Sequence, residues 1–421
     1  MSIATSLQKN AAMQSIMRGL LAYGSAELLN RLIRLVVVIV IARQLVPELV
    51  GVAALTLSLF ELIRVLANIG VGQKIIATDS ASLNQVCNTA YRVFWIWCGI
   101  IALMQLFVAA CLYTFFDNRI AAQMLGALAG VYLFMPGGLV QCFRLMRAKK
   151  LPTVAAIGTT QTIADHLITC VLILAWASPW AIVLPKLLTA PFWLIMMRRA
   201  NSWRYNSELG FAPIATMLQF GTAVLLSDIG LALRNNLDKL IIGGLLGVSA
   251  LGSYYFAFNA GIGIVGALAT AFGTVVYPHL CEEKPNGQQR TTLAFVVILG
   301  IALFGTLTLV QLIFAPLYVP IIFGSQWAHA IPLIQILSIA AIPMMLGALL
   351  SAYLRASGKA GIDAWIGSVI CLSALGMMLA GAQFGLLPAA SGWVAGTAIA
   401  IITCLIIFTG QFSLTKEFRY E

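Results

Sequence analysis

The chain has 421 residues, 61% hydrophobic and only 9% charged, with 25 Lys and Arg against 14 Asp and Glu for a net charge of +11. Ordinary soluble chains carry about 25% charged residues, and a soluble domain of this length could not bury so much apolar surface. The composition excludes a soluble domain, and the basic residues never form the extended face that nucleic acid needs, so the chain reads as an integral membrane protein.

Apolar segments of roughly 20 residues, enough to cross a bilayer as helices, recur at 19–42, 49–72, 94–115, 120–142, 152–176, 180–197, 213–234, 247–278, 292–315, 329–354, 363–384 and 389–411. The alternation of a transmembrane β-barrel is missing, and only helices or closed barrels satisfy the backbone in lipid. The predicted fold is therefore an all-α polytopic membrane protein of about twelve transmembrane helices. Because the first segment holds Glu27, Arg31 and Arg34 and no clear cleavage site, it is expected to stay as a span rather than act as a signal peptide.

Taken in chain order, the ionisable residues inside these spans mark the candidate site, since a charge at the bilayer centre costs roughly 2.5–3.5 kcal/mol and usually faces a cavity or a partner. In the first span Tyr23, Glu27, Arg31 and Arg34 fall on one helical stripe, and Val37, off that stripe, is expected to face lipid. Glu61 and Arg64 repeat the pattern in the second span, Asp165 and His166 lie in the fifth, Lys186 in the sixth and Asp228 in the seventh. Beyond Asp228 the predicted spans hold no acid or base away from their ends. Glu27 with Arg31 and Glu61 with Arg64 have ion-pair spacing and can be self-compensating structure. Arg34 and Lys186 have no acid near them in sequence. The sharper reading places Arg31, Arg34, Arg64 and Lys186 in a water-filled cavity that grips phosphate, for which the planar guanidinium fork is suited. Glu27, Glu61, Asp165, His166 and Asp228 are then candidates for charge pairing or ion coupling. The eight cysteines are scattered without metal spacing and read as packing residues; no metal, cofactor, nucleotide or catalytic motif is found.

Two phrases occur twice. YGSAELLNR at 23–31 matches FGTAVLLSD at 220–228, and MRAKK at 146–150 matches LRASGK at 354–359. Both echoes sit at equivalent places six spans apart, which predicts two six-helix lobes related by a parallel repeat. The basic connector at 196–210 sets their boundary, giving lobes 1–205 and 206–421. The pairs Gly126/Gly130, Gly243/Gly247, Gly381/Gly385 and Gly392/Gly396 have the spacing of close helix packing, and Pro136, Pro185, Pro332 and Pro343 can kink spans. Most Lys and Arg residues fall on one side when both termini are cytoplasmic, with Arg43, Arg119, Arg234 and Lys239 outside.

FGTAVLLSD together with DKLIIGGLLGVSALGSYYFAFN at 238–259, LRASGK and the twelve-span length resemble the polysaccharide-transport branch, the Wzx-type flippases, of the MOP exporter superfamily. That resemblance implies paired six-helix lobes around a cationic cavity. It also implies movement of undecaprenyl-pyrophosphate-linked oligosaccharide repeat units across a bacterial inner membrane, for O-antigen, capsule or exopolysaccharide synthesis. The expected partners are the lipid-linked oligosaccharide, the bilayer, and polymerase and export proteins of the same pathway. A multidrug or cation antiporter of the same superfamily is the nearest alternative. A membrane polymerase or ligase is the other, though each predicted outer loop is too short to house catalysis. Tyr254, Tyr255 and Phe258 are read as core residues, or as rings that stack on sugar.

Overall fold

The computed structural model describes residues 33–283 and 289–417. Its elements, in chain order, are α1 (33–44), α2 (Pro47–Arg64), α3 (Val71–Ala77), α4 (Leu83–Phe115), α5 (Arg119–Leu128), α6 (Pro136–Arg147), α7 (Leu151–Ala175), α8 (Trp180–Ala200), α9 (Ala215–Ala257), α10 (Gly263–Glu283), α11 (Gln289–Tyr318), α12 (Ile331–Ser338), α13 (Ala341–Ala356), α14 (Ala360–Ala382) and α15 (Leu386–Glu417). The described residues form helices and connecting turns, as the hydropathy pattern predicts.

Among the described residues, nine helices are long and apolar enough to cross a membrane, or ten if the pair Arg119–Leu133 and Pro136–Arg147, bent by 56°, counts as one span. Pro136 begins the second half of that pair, where a missing amide hydrogen is harmless and the fixed φ suits a helix start. The first predicted span lies mostly outside the described residues. Residues 235–246, expected as an outer loop, are instead helical: α9 runs on to a break at Gly247, whose φ of 86° glycine alone adopts without strain. Arg234 and Lys239 therefore lie within a helix and not in an outer loop.

Contacts divide the chain into two compact units, Gln44–Gly243 and a second that joins the residues up to Arg43 to those from Gly244 onward. This grouping places 206–243 with α2 to α8.

In the unit Gln44–Gly243, α2 packs on α5, α3 on α6, α4 on α5 and α6, and α7 on α8. Val71, Ile75, Cys87, Ala90, Phe94 and Val140 belong to one apolar cluster of this unit. The connector after α8 is bolted to α4. Asn88 Nδ2 donates to the carbonyls of Asn206 (2.6 Å) and Gly210 (3.0 Å). Thr89 Oγ1 donates to Ala212 O at 3.0 Å and accepts from Ala212 N at 2.9 Å. The Arg92 guanidinium lies 3.8 Å from the Phe211 ring centroid and donates to Tyr205 Oη at 2.7 Å. These contacts fix where the chain enters α9.

In the other unit, α10 packs on α13, α11 on α12 and α13, and α14 on α15. A Cβ on Gly381, Gly392 or Gly396 would run into the backbone of Pro388, Met377 or Ser373, so α14 and α15 meet backbone to backbone. By contrast, Gly247 and Gly126 meet nothing closer than ordinary contact. The end of α1 is anchored by Trp327, whose Nε1 donates to Ala42 O at 2.8 Å and so satisfies a carbonyl that the helix itself leaves unpaired. Arg43 returns the favour by donating to Ile322 O at 2.8 Å and to Ile321 O, in the π turn that follows α11. Val37 is buried, at 6% exposure, while Val36 stands 56% exposed. The expectation that Val37 faces lipid is thus corrected: Val36, about 180° from Glu27 on an ideal helix, takes that place.

Candidate functional site

Two helix faces meet in a cavity of about 270 Å³ inside the unit Gln44–Gly243. From α2 and the single 3-10 turn after it come Glu61, Arg64, Val65 and Asn68, spaced i, i+3, i+4 and i+7. From α9 come Asp228, Leu231, Ala232, Asn235 and Asn236, spaced i, i+3, i+4, i+7 and i+8. Residues so spaced share one side of a helix. Met135, at the bend before α6, adds a wall. The end of α2 is held by Trp97, whose Nε1 donates to Leu66 O at 2.7 Å, and Gly70 at φ 71° turns the chain away.

Arg64 donates to Glu61 Oε2 twice, from Nε at 2.9 Å and from its terminal nitrogen at 2.6 Å. Asn68 Nδ2 donates to Asp228 Oδ2 at 3.1 Å. Three of the sequence-predicted residues, Glu61, Arg64 and Asp228, are thus brought together, with Arg64 already paired. The three Asn residues are not marked by charge, so the pattern of ionisable residues alone does not single them out. Asn68 and Asn235 stand seven residues after Glu61 and Asp228, and Asn236 eight after Asp228, which puts each on the same helix side as its acid.

Asp165 and Lys186 form a separate pair. Lys186 Nζ donates to Asp165 Oδ2 at 2.9 Å, Thr189 Oγ1 donates to Asp165 Oδ1, and Thr169 Oγ1 donates to the Asp165 carbonyl at 2.8 Å. Asp165 is buried, so these partners offset the loss of its hydration. Lys186, which has no acid near it in sequence, finds one across the α7–α8 contact, and neither it nor Asp165 lines the cavity. His166 is half-buried on α7.

Arg34 belongs to the other unit, where it donates to Asn259 Oδ1 at 2.6 Å. Asn259 lies in a π turn, Phe258–Ile262, and its own Nδ2 donates to Tyr255 O at 2.8 Å. Glu27 and Arg31 lie outside the described residues. Tyr254 is fully buried against Phe258, at 6.0 Å between ring centroids, in the manner of a core residue.

A further charged pair was missed. Asp238 and Lys239 sit in α9 with side chains 5% and 11% exposed, Lys239 Nζ donating to Asp238 Oδ1 at 3.0 Å and to Asn235 O at 2.7 Å. The expectation of no charge in spans beyond Asp228 is corrected accordingly; mutual neutralisation lets α9 continue through a stretch that hydropathy marks as a loop. No group of three or more His, Cys, Asp or Glu suited to a metal occurs among the described residues.

An apolar helical bundle thus carries a charged and amide-rich cavity. Residues 40–332 match the family described as "Polysaccharide biosynthesis protein". The chain belongs to this family. Among curated relatives it is 23% identical over 338 residues to the lipopolysaccharide biosynthesis protein WzxC of Escherichia coli (strain K12), covering 78% of this chain and 67% of that one. It is 22% identical over 373 residues to the succinoglycan biosynthesis transport protein ExoT of Rhizobium meliloti (strain 1021), covering 86% and 73%. Among solved structures, a multidrug resistance MATE family transporter of the MOP superfamily, facing inward, superposes with a TM-score of 0.70 at 15% identity over 92% of this chain and 96% of that one. The lipid II flippase MurJ, inward closed, gives 0.74 at 10% identity over 92% and 87%. The chain of this polysaccharide biosynthesis family therefore has the fold of the MOP transporters.

Proposed function

We propose that this protein is a flippase that carries polyprenyl-pyrophosphate-linked oligosaccharide repeat units from the cytoplasmic to the periplasmic leaflet of a bacterial inner membrane. Its lobes, 1–205 and 206–421, are proposed as parallel sequence repeats, although contacts group 206–243 with α2 to α8, and both termini are cytoplasmic. The observation that carries this reading is a cavity of carboxylate, guanidinium and amide side chains inside an apolar bundle of the polysaccharide biosynthesis family. The polyprenyl tail can stay in lipid, whereas the charged and hydroxylated head group needs such a polar surface to cross. Arg34 is the described cation proposed to meet the pyrophosphate, because Arg64 and Lys186 are each paired to an acid; Arg31, outside the described residues, is proposed with it from its place on the same sequence stripe. Polymerase and export proteins of the pathway are the proposed partners, and no catalysis is assigned to the chain.

Deleting the gene should make lipid-linked repeat units accumulate with their sugars accessible only from the cytoplasmic face. Intermediates on the outer leaflet would rule out flipping and favour a polymerase or ligase. The antiporter reading draws support from the two carboxylates of the cavity and from the MATE fold; normal polysaccharide with new sensitivity to cationic dyes would establish it.

A further inference from the structure

The cavity between α2 and α9 differs from a phosphate site in charge. Its guanidinium is engaged twice by Glu61, and Asp228 adds a second carboxylate, so its formal charge is negative. An anion entering it would meet the repulsion of two carboxylates, one of which already neutralises the arginine.

What the cavity does offer is a close mixture of acceptors and donors. The carboxylates of Glu61 and Asp228 accept, and the amides of Asn68, Asn235 and Asn236 both donate and accept. The Asn235 side chain lines the cavity from an exposed position, and its backbone carbonyl accepts from Lys239. A sugar hydroxyl needs this mixture, donating its proton to a carboxylate while accepting from a neighbouring amide. Val65, Met135, Leu231 and Ala232 supply apolar wall for the C–H face of a ring. Size points the same way: a volume of about 270 Å³ far exceeds what a single dehydrated cation fills, since one water in the liquid takes about 30 Å³.

The geometry points to a subsite for neutral sugar hydroxyls, distinct in chemistry from the one that takes pyrophosphate. This assignment rests on the flippase reading and specifies which part of the head group the α2–α9 cavity holds. The sugar ring enters between Asn235 and Asp228, while the pyrophosphate is left to cations elsewhere. Recognition of the first sugars of a repeat unit would then depend on the amides of α9.

The test uses the purified full-length protein in detergent and follows its thermal midpoint. The probes are glucose, galactose and N-acetylglucosamine at 100 mM, with inorganic pyrophosphate and sodium chloride at matched ionic strength. At least one sugar should raise the midpoint by about 2 °C. The rise should vanish in Asn235→Leu, which replaces the amide by an apolar side chain of similar length, and in Asp228→Asn, which keeps the shape and removes the charge. Midpoints without sugar identify any variant that is misfolded, and the other variant then carries the comparison. No rise with any sugar, or a rise that both variants retain, overturns the proposal. So does a rise with sodium or pyrophosphate that the variants abolish, which would make the cavity a cation or an anion site. Export of polysaccharide by the Asn235→Leu strain separates the two readings: normal export overturns the sugar subsite and leaves the flippase intact, whereas a deletion strain with outward-facing intermediates overturns the flippase itself.

Discussion

Asn68 donates from Nδ2 to Asp228 Oδ2 at 3.1 Å, joining the end of α2 to α9 across 160 positions of sequence. Asp228 ends the phrase whose first copy ends in Arg31, so the substitution of charge between the two copies has a structural counterpart: the acid meets an amide and closes one side of the cavity. The bond is exposed, so water competes for both groups and its own worth stays below about 1 kcal/mol. Asn68→Leu should act instead through the polarity of the cavity, lowering polysaccharide export while leaving the amount of protein in the membrane close to normal, as read by immunoblot of the membrane fraction. Full export by this variant would show that the α2–α9 contact plays no part in transport.

The Lys186–Asp165 pair makes a different demand. Removing one partner of a buried ion pair costs about 3–5 kcal/mol, and the partial exposure of Lys186 puts the expected loss near the lower figure. Lys186→Met should thus lower the thermal midpoint of the purified protein, and Asp165→Asn added to it should restore most of the loss. If the double variant is folded and exports normally, the pair is structural. A double variant that is stable yet inactive would return Lys186 to the transport machinery.

Arg34 offers a test of the pyrophosphate grip. Arg34→Ala and, in the segment outside the described residues, Arg31→Ala should stop export without loss of protein from the membrane. Lys in place of either should retain part of it, because charge persists while the bidentate fork is lost. Equal loss with Ala and Lys would mean that the Arg34–Asn259 hydrogen bond at 2.6 Å, and not the charge, is what matters.

At the α14–α15 contact, Gly392→Ala or Gly396→Ala should sharply reduce the amount of folded protein, because the added carbon meets backbone that cannot rotate aside. Gly376→Ala, which meets nothing within 4 Å, should be tolerated. Fluorescence-detected size-exclusion of tagged variants reads both, and equal behaviour of the three would remove the close-packing account.

Legibility followed the range of the interaction. Hydropathy and the 3.6-residue period are local, so they determined the helical class, the membrane setting and the approximate extents of α11, α14 and α15, and they placed Glu61 and Arg64 on one face of α2. Continuity of α9 through 235–246 was not legible, because hydropathy counts Asp238 and Lys239 as two charges, whereas the folded helix buries them as one neutral pair at 3.0 Å. For the same reason the partner of Lys186 was invisible: Asp165 lies on another helix, and no local period relates the two. The sequence by itself determined which residues are too polar to face lipid. Only the tertiary structure decided which of them meet, since pairing depends on how helices pack against one another, and that is set by side-chain shape summed over whole faces and by backbone breaks such as Gly247 and Pro136.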